Sequence, residues 1–444
     1  MKKKINLKKN ISISLITRIL SMLIGFTLSI FVTRYLGPEL KGKMSYFLTL
    51  SATIWMILDL GFHKSLPYIL SKDRNKLNSL FSFSLLSHFW DFILLILAML
   101  IFKEYFFLKL DIIAPIYLIL FIMFTAITRF SFILKFIMLG IDKILMQNLL
   151  NILPLITYVI LFFFIKAHFI IEDKYVYVLI ILILPLIFWT QYYAIKLCLQ
   201  EKIKFNFKFE ILEIISAYKI GIRAFLSTLF IFLLIKFDIF LIEKYETFVE
   251  LGIYSLAANF VTILQSFSNL VGSLMLPKFA GNDNDDEENM IIMRRVALIF
   301  FILMIILTVA LFTIGKQVIT FVYDIEFVRT YEVFIALLPA VFFLSFGSIL
   351  NTFFWSKGFP KMTIILPIIA LMINIGLNIV LIPSIGIIGA AIATSISYGV
   401  WLILLLFYFF NTKLVNNPRS LLWQRRDFEY LFNEFKKIGF KRKS

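Results

Sequence analysis

The chain has 444 residues, of which 61% are hydrophobic and only 16% are charged, and its mean hydropathy is +0.93. Soluble domains have about a quarter charged residues, so this composition excludes a soluble globular protein and indicates a membrane protein with several spans. The net charge of +17 is spread between apolar stretches, which does not indicate nucleic-acid binding, and the single Cys198 excludes an intrachain disulfide or a cysteine metal cluster.

Stretches of about 20 mostly apolar residues predict twelve membrane-spanning helices and therefore an all-α polytopic membrane protein. The first stretch follows five lysines, but it is too long for a signal peptide and lacks a small-residue cleavage site, so we expect it to be retained as a span. The predicted spans are 11–35, 43–70, 80–102, 112–139, 146–165, 176–197, 219–242, 250–277, 291–314, 332–355, 362–383 and 387–410.

An even number of spans places both termini on the same side of the membrane. The Lys and Arg residues outside the spans are concentrated on the side of the N-terminus, so both termini are predicted to be cytoplasmic. We expect two six-helix lobes, 1–199 and 219–410, joined by a cytoplasmic linker at 200–218. The tail, 411–444, has apolar residues at helical spacing among basic ones, which predicts either a helix on an anionic membrane surface or a basic segment that fixes topology.

A weak internal repeat relates the two predicted lobes. Aligning Gly42 with Gly252 gives an offset of 210 residues, and Ser45 then aligns with Ser255. Both halves would enter the membrane from the cytoplasm, because each contains six spans. Such a repeat predicts an axis along the membrane normal and a site between the halves.

Six basic residues lie inside the predicted spans, where a cation costs several kcal/mol unless it meets water, a partner or an anion. Arg18 and Arg129 are at similar depths from the cytoplasmic side, so both could hold the two charges of a diphosphate. The alternative is that each pairs with an intramembrane acid for structural reasons. The other four are Lys64, Lys135, Arg223 and Lys236, and they lie nearer the ends of spans. For Lys64, Lys135 and Arg223, snorkelling of the side chain to the lipid headgroups explains the position equally well.

Acidic and histidine residues in the spans are candidates for ion coupling. Asp59 and His63 are four residues apart and His88 and Asp91 three apart, so each pair shares a helix face. Such pairs could transfer protons, or they could form static hydrogen bonds inside the bundle. Asp238 is two residues from Lys236, so the two point to different faces, and either could line an exit path.

Several short motifs resemble the polysaccharide and O-antigen flippase family of the multidrug/oligosaccharidyl-lipid/polysaccharide exporter superfamily. The resemblance extends from about residue 10 to 410, with the motifs in order. They are Arg34–Glu39 with Gly42, Asp59–Phe62, Gly252–Ala257, Leu276–Lys278, Asn374–Asn378 and Ile382–Thr394.

The resemblance implies two six-helix bundles around a cationic central cavity. It also implies transport of a lipid-diphosphate-linked oligosaccharide from the inner to the outer leaflet of a bacterial plasma membrane. The expected partners are this substrate, membrane lipids and glycan polymerases or glycosyltransferases. No cofactor is expected, although H⁺ or Na⁺ coupling is open, and no nucleotide-binding GxxxxGK[ST] motif occurs in the sequence.

Three alternatives remain. A drug or cation exporter of the same superfamily would need cavity acids to outweigh bases, whereas the spans contain more bases than acids. A membrane-embedded glycan polymerase would be expected to have a larger extracytoplasmic segment than this chain offers. A scaffold or sensor without cargo predicts that changing Arg18 or Arg129 harms only folding.

Overall fold

The protein, seen here in a computed structural model, is helical throughout the part of the chain that the structure describes. The described residues are 7–101, 115–169, 172–205, 211–281, 286–358, 360–412, 424 and 426–429. The helices are α1 (Leu7–Asp59), α2 (Phe62–Lys72), α3 (Leu77–Ile101), α4 (Pro115–Gly140), α5 (Ile144–His168), α6 (Lys174–Glu201), α7 (Ile211–Tyr245), α8 (Phe248–Gly281), α9 (Asp286–Tyr323), α10 (Thr330–Ser356) and α11 (Met362–Asn411).

Ten helices among the described residues are long and apolar enough to cross a membrane. Two of them, α1 and α11, are 53 and 50 residues long, which is more than twice the roughly 20 residues that a bilayer requires. Each is broken once, at Gly37 (φ 75°) before Pro38 in α1 and at Gly386 (φ 64°) after Pro383 in α11. Each of these two helices is long enough for two spans, so the helices are consistent with the twelve predicted spans. The protein is a multi-pass membrane protein.

The second predicted span, 43–70, differs from the structure in one respect. Its helix is interrupted at Leu60 and Gly61, both with positive φ (47° and 81°), and continues as α2. Asp59 and His63 lie on either side of this interruption. The break therefore places two candidate ion-coupling residues at a helix junction inside the membrane region.

The chain divides into two compact units. Unit 1 comprises Met1–Ser255 and Val322–Glu326, and unit 2 comprises Leu256–Phe321 and Phe327–Ser444. The predicted lobes, divided by a linker at 200–218, are a different partition of the chain and stay a prediction. Most of the predicted tail, 411–444, lies outside the described residues.

Unit 1 has an apolar core in which α2, α3 and α4 pack together. Phe62, Phe81 and Phe130 are fully buried there. A second cluster joins α1, α4, α5 and α6 through residues such as Phe47 and Val178. These clusters fix the positions of the polar side chains that the same helices place inside the unit.

Unit 2 contains a close helix contact between α10 and α11. The indole of Trp401 lies directly against Gly347, where a Cβ atom would meet the ring at 2.3 Å. Large apolar side chains remain exposed on both units, for example Leu199 and Phe321. In a membrane protein such an exposed apolar surface faces the hydrocarbon chains of the lipid and not water.

Candidate substrate and ion-coupling site

Arg129 lies in a buried charge cluster of unit 1 and is only 2% exposed. Its Nη1 lies 2.5 Å from Oδ2 of Asp91, and its Nε lies 3.8 Å from Oδ1 of Asp59. The other oxygen of Asp59 lies 2.5 Å from Nδ1 of His63. Four residues from α1, α2, α3 and α4 thus form one chain of charge-assisted contacts, which we call the Arg129 cluster.

The helix break after α1 explains how Asp59 and His63 meet. Asp59 is the last residue of α1, and its Oδ2 also lies 3.4 Å from the backbone N–H of His63 in the first turn of α2. The carboxylate therefore accepts from a backbone donor that a helix start leaves without an intrahelical partner. The predicted contact between Asp59 and His63 exists, and it serves the helix junction as well.

His88 and Asp91, which were predicted to contact each other, each contact a residue of α4 instead. Asp91 is 4% exposed and accepts from Arg129. The ring of His88 stacks on Phe130, with centroids 4.7 Å apart. Residues three apart share a helix face, but the contacts of His88 and Asp91 depend on how the neighbouring α4 packs against α3.

This geometry matches the structural alternative for Arg129. A buried guanidinium that already holds two carboxylates cannot hold a diphosphate without releasing at least one of them. The Arg129 cluster joins four helix segments through its two carboxylates, guanidinium and imidazole. The assignment of Arg129 to substrate binding stays a prediction that requires the Asp91 contact to open.

The remaining predicted cations are spread over the unit. Arg18 and Arg223 are exposed, whereas Lys64, Lys135 and Lys236 are half-buried. Their individual roles stay predictions.

Two of the half-buried lysines have identified neighbours. Lys64 donates to the backbone oxygen of Ala224 at 3.3 Å and to the hydroxyl of Thr228, which ties α2 to α7. Lys135 lies over the ring of Phe132, with Nζ 5.2 Å from the centroid. Neither of these contacts is with a carboxylate.

Asp238 is the third intramembrane acid, and it is 1% exposed. Its Oδ2 accepts a hydrogen bond of 2.6 Å from the hydroxyl of Tyr254. As the spacing predicts, Lys236 forms no ion pair with it at 4 Å or less, since no such pair is found among the described side chains. The acid is thus occupied by Tyr254 within unit 1.

Lys41 is a buried cation that the sequence analysis missed. It is only 6% exposed, and it experiences electrostatic repulsion from Lys236. Within the described part of unit 1 it has no carboxylate within 4 Å. The predicted spans place it in the connection between spans one and two, whereas in the structure it lies in α1 and is buried. Its position next to the repeat residue Gly42 was the available sequence signal.

The interior of unit 1 therefore has an unequal charge balance. Its three buried acids each contact a guanidinium, an imidazole or a hydroxyl. By contrast, three lysines have no carboxylate at ion-pairing distance among the residues that the structure describes. They are Lys41, Lys135 and Lys236. In general, clefts lined by charges of one sign concentrate ligands of the opposite sign.

Solved structures with this fold include several transporters. A lipid II flippase, MurJ in an inward closed conformation, is 18% identical with a TM-score of 0.66, covering 88% of this chain and 86% of its own. An inward-facing multidrug resistance MATE family transporter of the MOP superfamily is 15% identical with a TM-score of 0.68, covering 88% and 96%. A MOP superfamily transporter from Pyrococcus furiosus is 15% identical with a TM-score of 0.63, covering 90% and 94%. At these identities the likeness establishes the fold.

Family membership comes from the sequence. No curated protein matches this chain. The profile of a family described as "Polysaccharide biosynthesis protein" matches residues 7–283, which is more than half of the chain and includes the Arg129 cluster, Lys41 and Lys236. The chain therefore belongs to the polysaccharide biosynthesis protein family.

Proposed function

We propose that the protein is a flippase that moves a lipid-diphosphate-linked oligosaccharide from the inner to the outer leaflet of a bacterial plasma membrane. The observation behind this proposal is the charge balance of unit 1. Among the described residues, the buried Lys41 and the half-buried Lys135 and Lys236 have no carboxylate at ion-pairing distance, while the buried acids are occupied. Membership of a polysaccharide biosynthesis family supports a glycan cargo. A diphosphate is the anionic part that such a cargo would present to lysine and arginine side chains.

In the proposed cycle, the exposed Arg18 and Arg223 meet the diphosphate first, with Lys64 and Lys135 assisting at the mouth. Lys41 and Lys236 then attract it further along the path, while the lipid tail stays in the bilayer. Transport proceeds by alternating access, with both termini cytoplasmic. Glycosyltransferases and a glycan polymerase are the expected partners, because they would supply and consume the cargo.

Ion coupling is part of the proposal and is assigned to the acids. The Arg129 cluster, together with His88 and Asp238, offers groups that could bind H⁺ or Na⁺. Protonation of one carboxylate would weaken its hold on Arg129, since a neutral acid loses the charge that attracts the guanidinium. A proton could in this way free Arg129 for the cargo.

The fold is also that of multidrug transporters, so a drug exporter is the second candidate. Binding of a cationic drug would need available carboxylates. Asp59, Asp91 and Asp238 are instead held by partners within unit 1. The charge balance favours the flippase.

The deciding experiment is a flipping assay with purified protein in liposomes. A fluorescent lipid-diphosphate-oligosaccharide should move between leaflets, and Arg18→Lys should keep more of this activity than Arg18→Gln, because a point charge still attracts a diphosphate. Export of a cationic dye with no movement of the lipid-linked glycan would reject the proposal in favour of the drug exporter.

A further inference from the structure

Unit 2 contains a buried ion-pair cluster that the proposed transport path does not use. The carboxylate of Asp427, in the short helical turn 426–429 of the tail, is 0% exposed. Arg294 of α9 faces it with one edge of its guanidinium, with Nε 2.5 Å from Oδ2 and Nη2 2.9 Å from Oδ1. Arg295 adds Nε at 3.5 Å from Oδ1, and the backbone N–H of Gln424 donates to Oδ2 at 2.9 Å.

The two arginines lie near the start of the apolar stretch of α9, the end of a candidate span that would be closest to the lipid headgroups. The apolar stretch of α9 begins at residue 291, so Arg294 is about 5 Å along the helix from its start at 1.5 Å per residue. Arg294 is 4% exposed, whereas the side chain of Arg295 is 32% exposed. A ligand from the membrane surface can therefore approach on the Arg295 side.

Two adjacent guanidiniums around one carboxylate have the geometry that also binds phosphate. Arginine forms the same paired hydrogen bonds with phosphate as with carboxylate. A phosphate headgroup can engage both arginines through several oxygens, whereas Asp427 offers two. We propose that Arg294 and Arg295 form a binding site for a phosphate headgroup, which the tail occupies with Asp427 as an internal substitute ligand.

Competition for this site gives the tail two positions. When Asp427 occupies the site, the 426–429 turn of the tail is held against α9. When a phosphate takes its place, the tail is released, and its basic residues can bind the same anionic surface. The sequence supports this second position, because the tail following residue 424 is rich in Lys and Arg.

Hydrogen–deuterium exchange of the 424–429 segment in nanodiscs tests the proposal. In neutral phosphatidylcholine discs, the wild-type segment should be protected. Phosphatidylglycerol discs should accelerate exchange about tenfold or more. Inorganic pyrophosphate added to neutral discs separates the two sources of phosphate: release by pyrophosphate assigns the site to phosphate in general, and release by phosphatidylglycerol alone assigns it to a lipid headgroup.

Variants distinguish a ligand site from a simple structural clamp. Asp427→Asn should exchange fast in every disc, whereas Asp142→Asn, an exposed carboxylate in the turn after α4, should behave as wild type. Arg295→Gln should keep the tail docked through Arg294 and require more phosphatidylglycerol for release. This variant also tests the proposal if Asp427→Asn fails to fold.

Equal protection in neutral and anionic discs, with pyrophosphate without effect, would overturn the phosphate site and leave only a clamp. The proposal is independent of the flippase function. If the flipping assay showed no activity, the exchange result would still be valid. If the exchange experiment failed, the flipping result would likewise still be valid.

Discussion

Ser45 donates a hydrogen bond of 2.8 Å to Ser255, and these two residues are counterparts in the internal repeat. The aligned glycines meet at the same place. A Cβ atom on Gly42 would lie 2.0 Å from the backbone oxygen of Phe248, and one on Gly252 would lie 1.8 Å from that of Pro38. These two repeat positions thus each lie against their own counterpart.

Gly42→Ala should destabilise the protein by about 1–3 kcal/mol, because the added methyl group must push two helix backbones apart. The measurement is the melting temperature of the purified protein in detergent. Gly25→Ala is the matched control in the same helix, since nothing lies within 4 Å of its Cβ position. The control should be neutral or slightly stabilising, because alanine favours helix. Equal melting temperatures for both variants would contradict the close contact.

The span pattern was predictable because length and hydropathy alone determine it. Positions within one helix were also predictable, as Asp59 and His63 show. Contacts between residues of different helices were not predictable, because the contact of Asp91 with Arg129 depends on how α4 packs against α3. Lys41 was missed for a related reason: burial of a lysine near a helix break depends on its neighbours, which periodicity does not contain.

Arg129→Gln should destabilise the protein by about 3–5 kcal/mol, since it leaves the buried Asp91 and Asp59 without their cation. Arg223→Gln, the same change at an exposed position, should have little effect. The double variant Arg129→Gln, Asp91→Asn should lose less than the sum of the single changes, because the two residues interact directly. Thermal unfolding of five proteins gives this comparison: the wild type, the single variants Arg129→Gln and Asp91→Asn, the double variant, and the control Arg223→Gln. If the stability losses of the two single variants simply added up in the double variant, Arg129 and Asp91 would not be in contact.

Lys41→Gln and Lys236→Gln should each slow flipping of a lipid-diphosphate-oligosaccharide about tenfold or more. A partly hydrated charge pair at 4 Å is worth about 1–4 kcal/mol, and 1.4 kcal/mol corresponds to a factor of ten. Lys316→Gln, an exposed lysine of α9, is the control and should keep full activity. Both lysine variants should fold normally, since neither residue has a carboxylate to leave behind among the described side chains. Full activity in both would remove the buried lysines from the transport path.

The contribution of Asp427 to stability should depend on pH in one direction only. Burial by itself would raise the pKa of this carboxyl, but hydrogen bonds from the Gln424 backbone and the Arg294 guanidinium hold the pKa below its ordinary value of 3.8. A depressed pKa means that the folded state favours the ionised form, so the stabilisation is complete above the unfolded pKa and is lost as the pH falls through the folded pKa. The difference in melting temperature between wild type and Asp427→Asn should therefore be constant from neutral pH down to about 5 and shrink below about 4. A difference that grew on acidification would mean that Asp427 is protonated in the folded protein, and the ion pair with Arg294 would then be absent in solution.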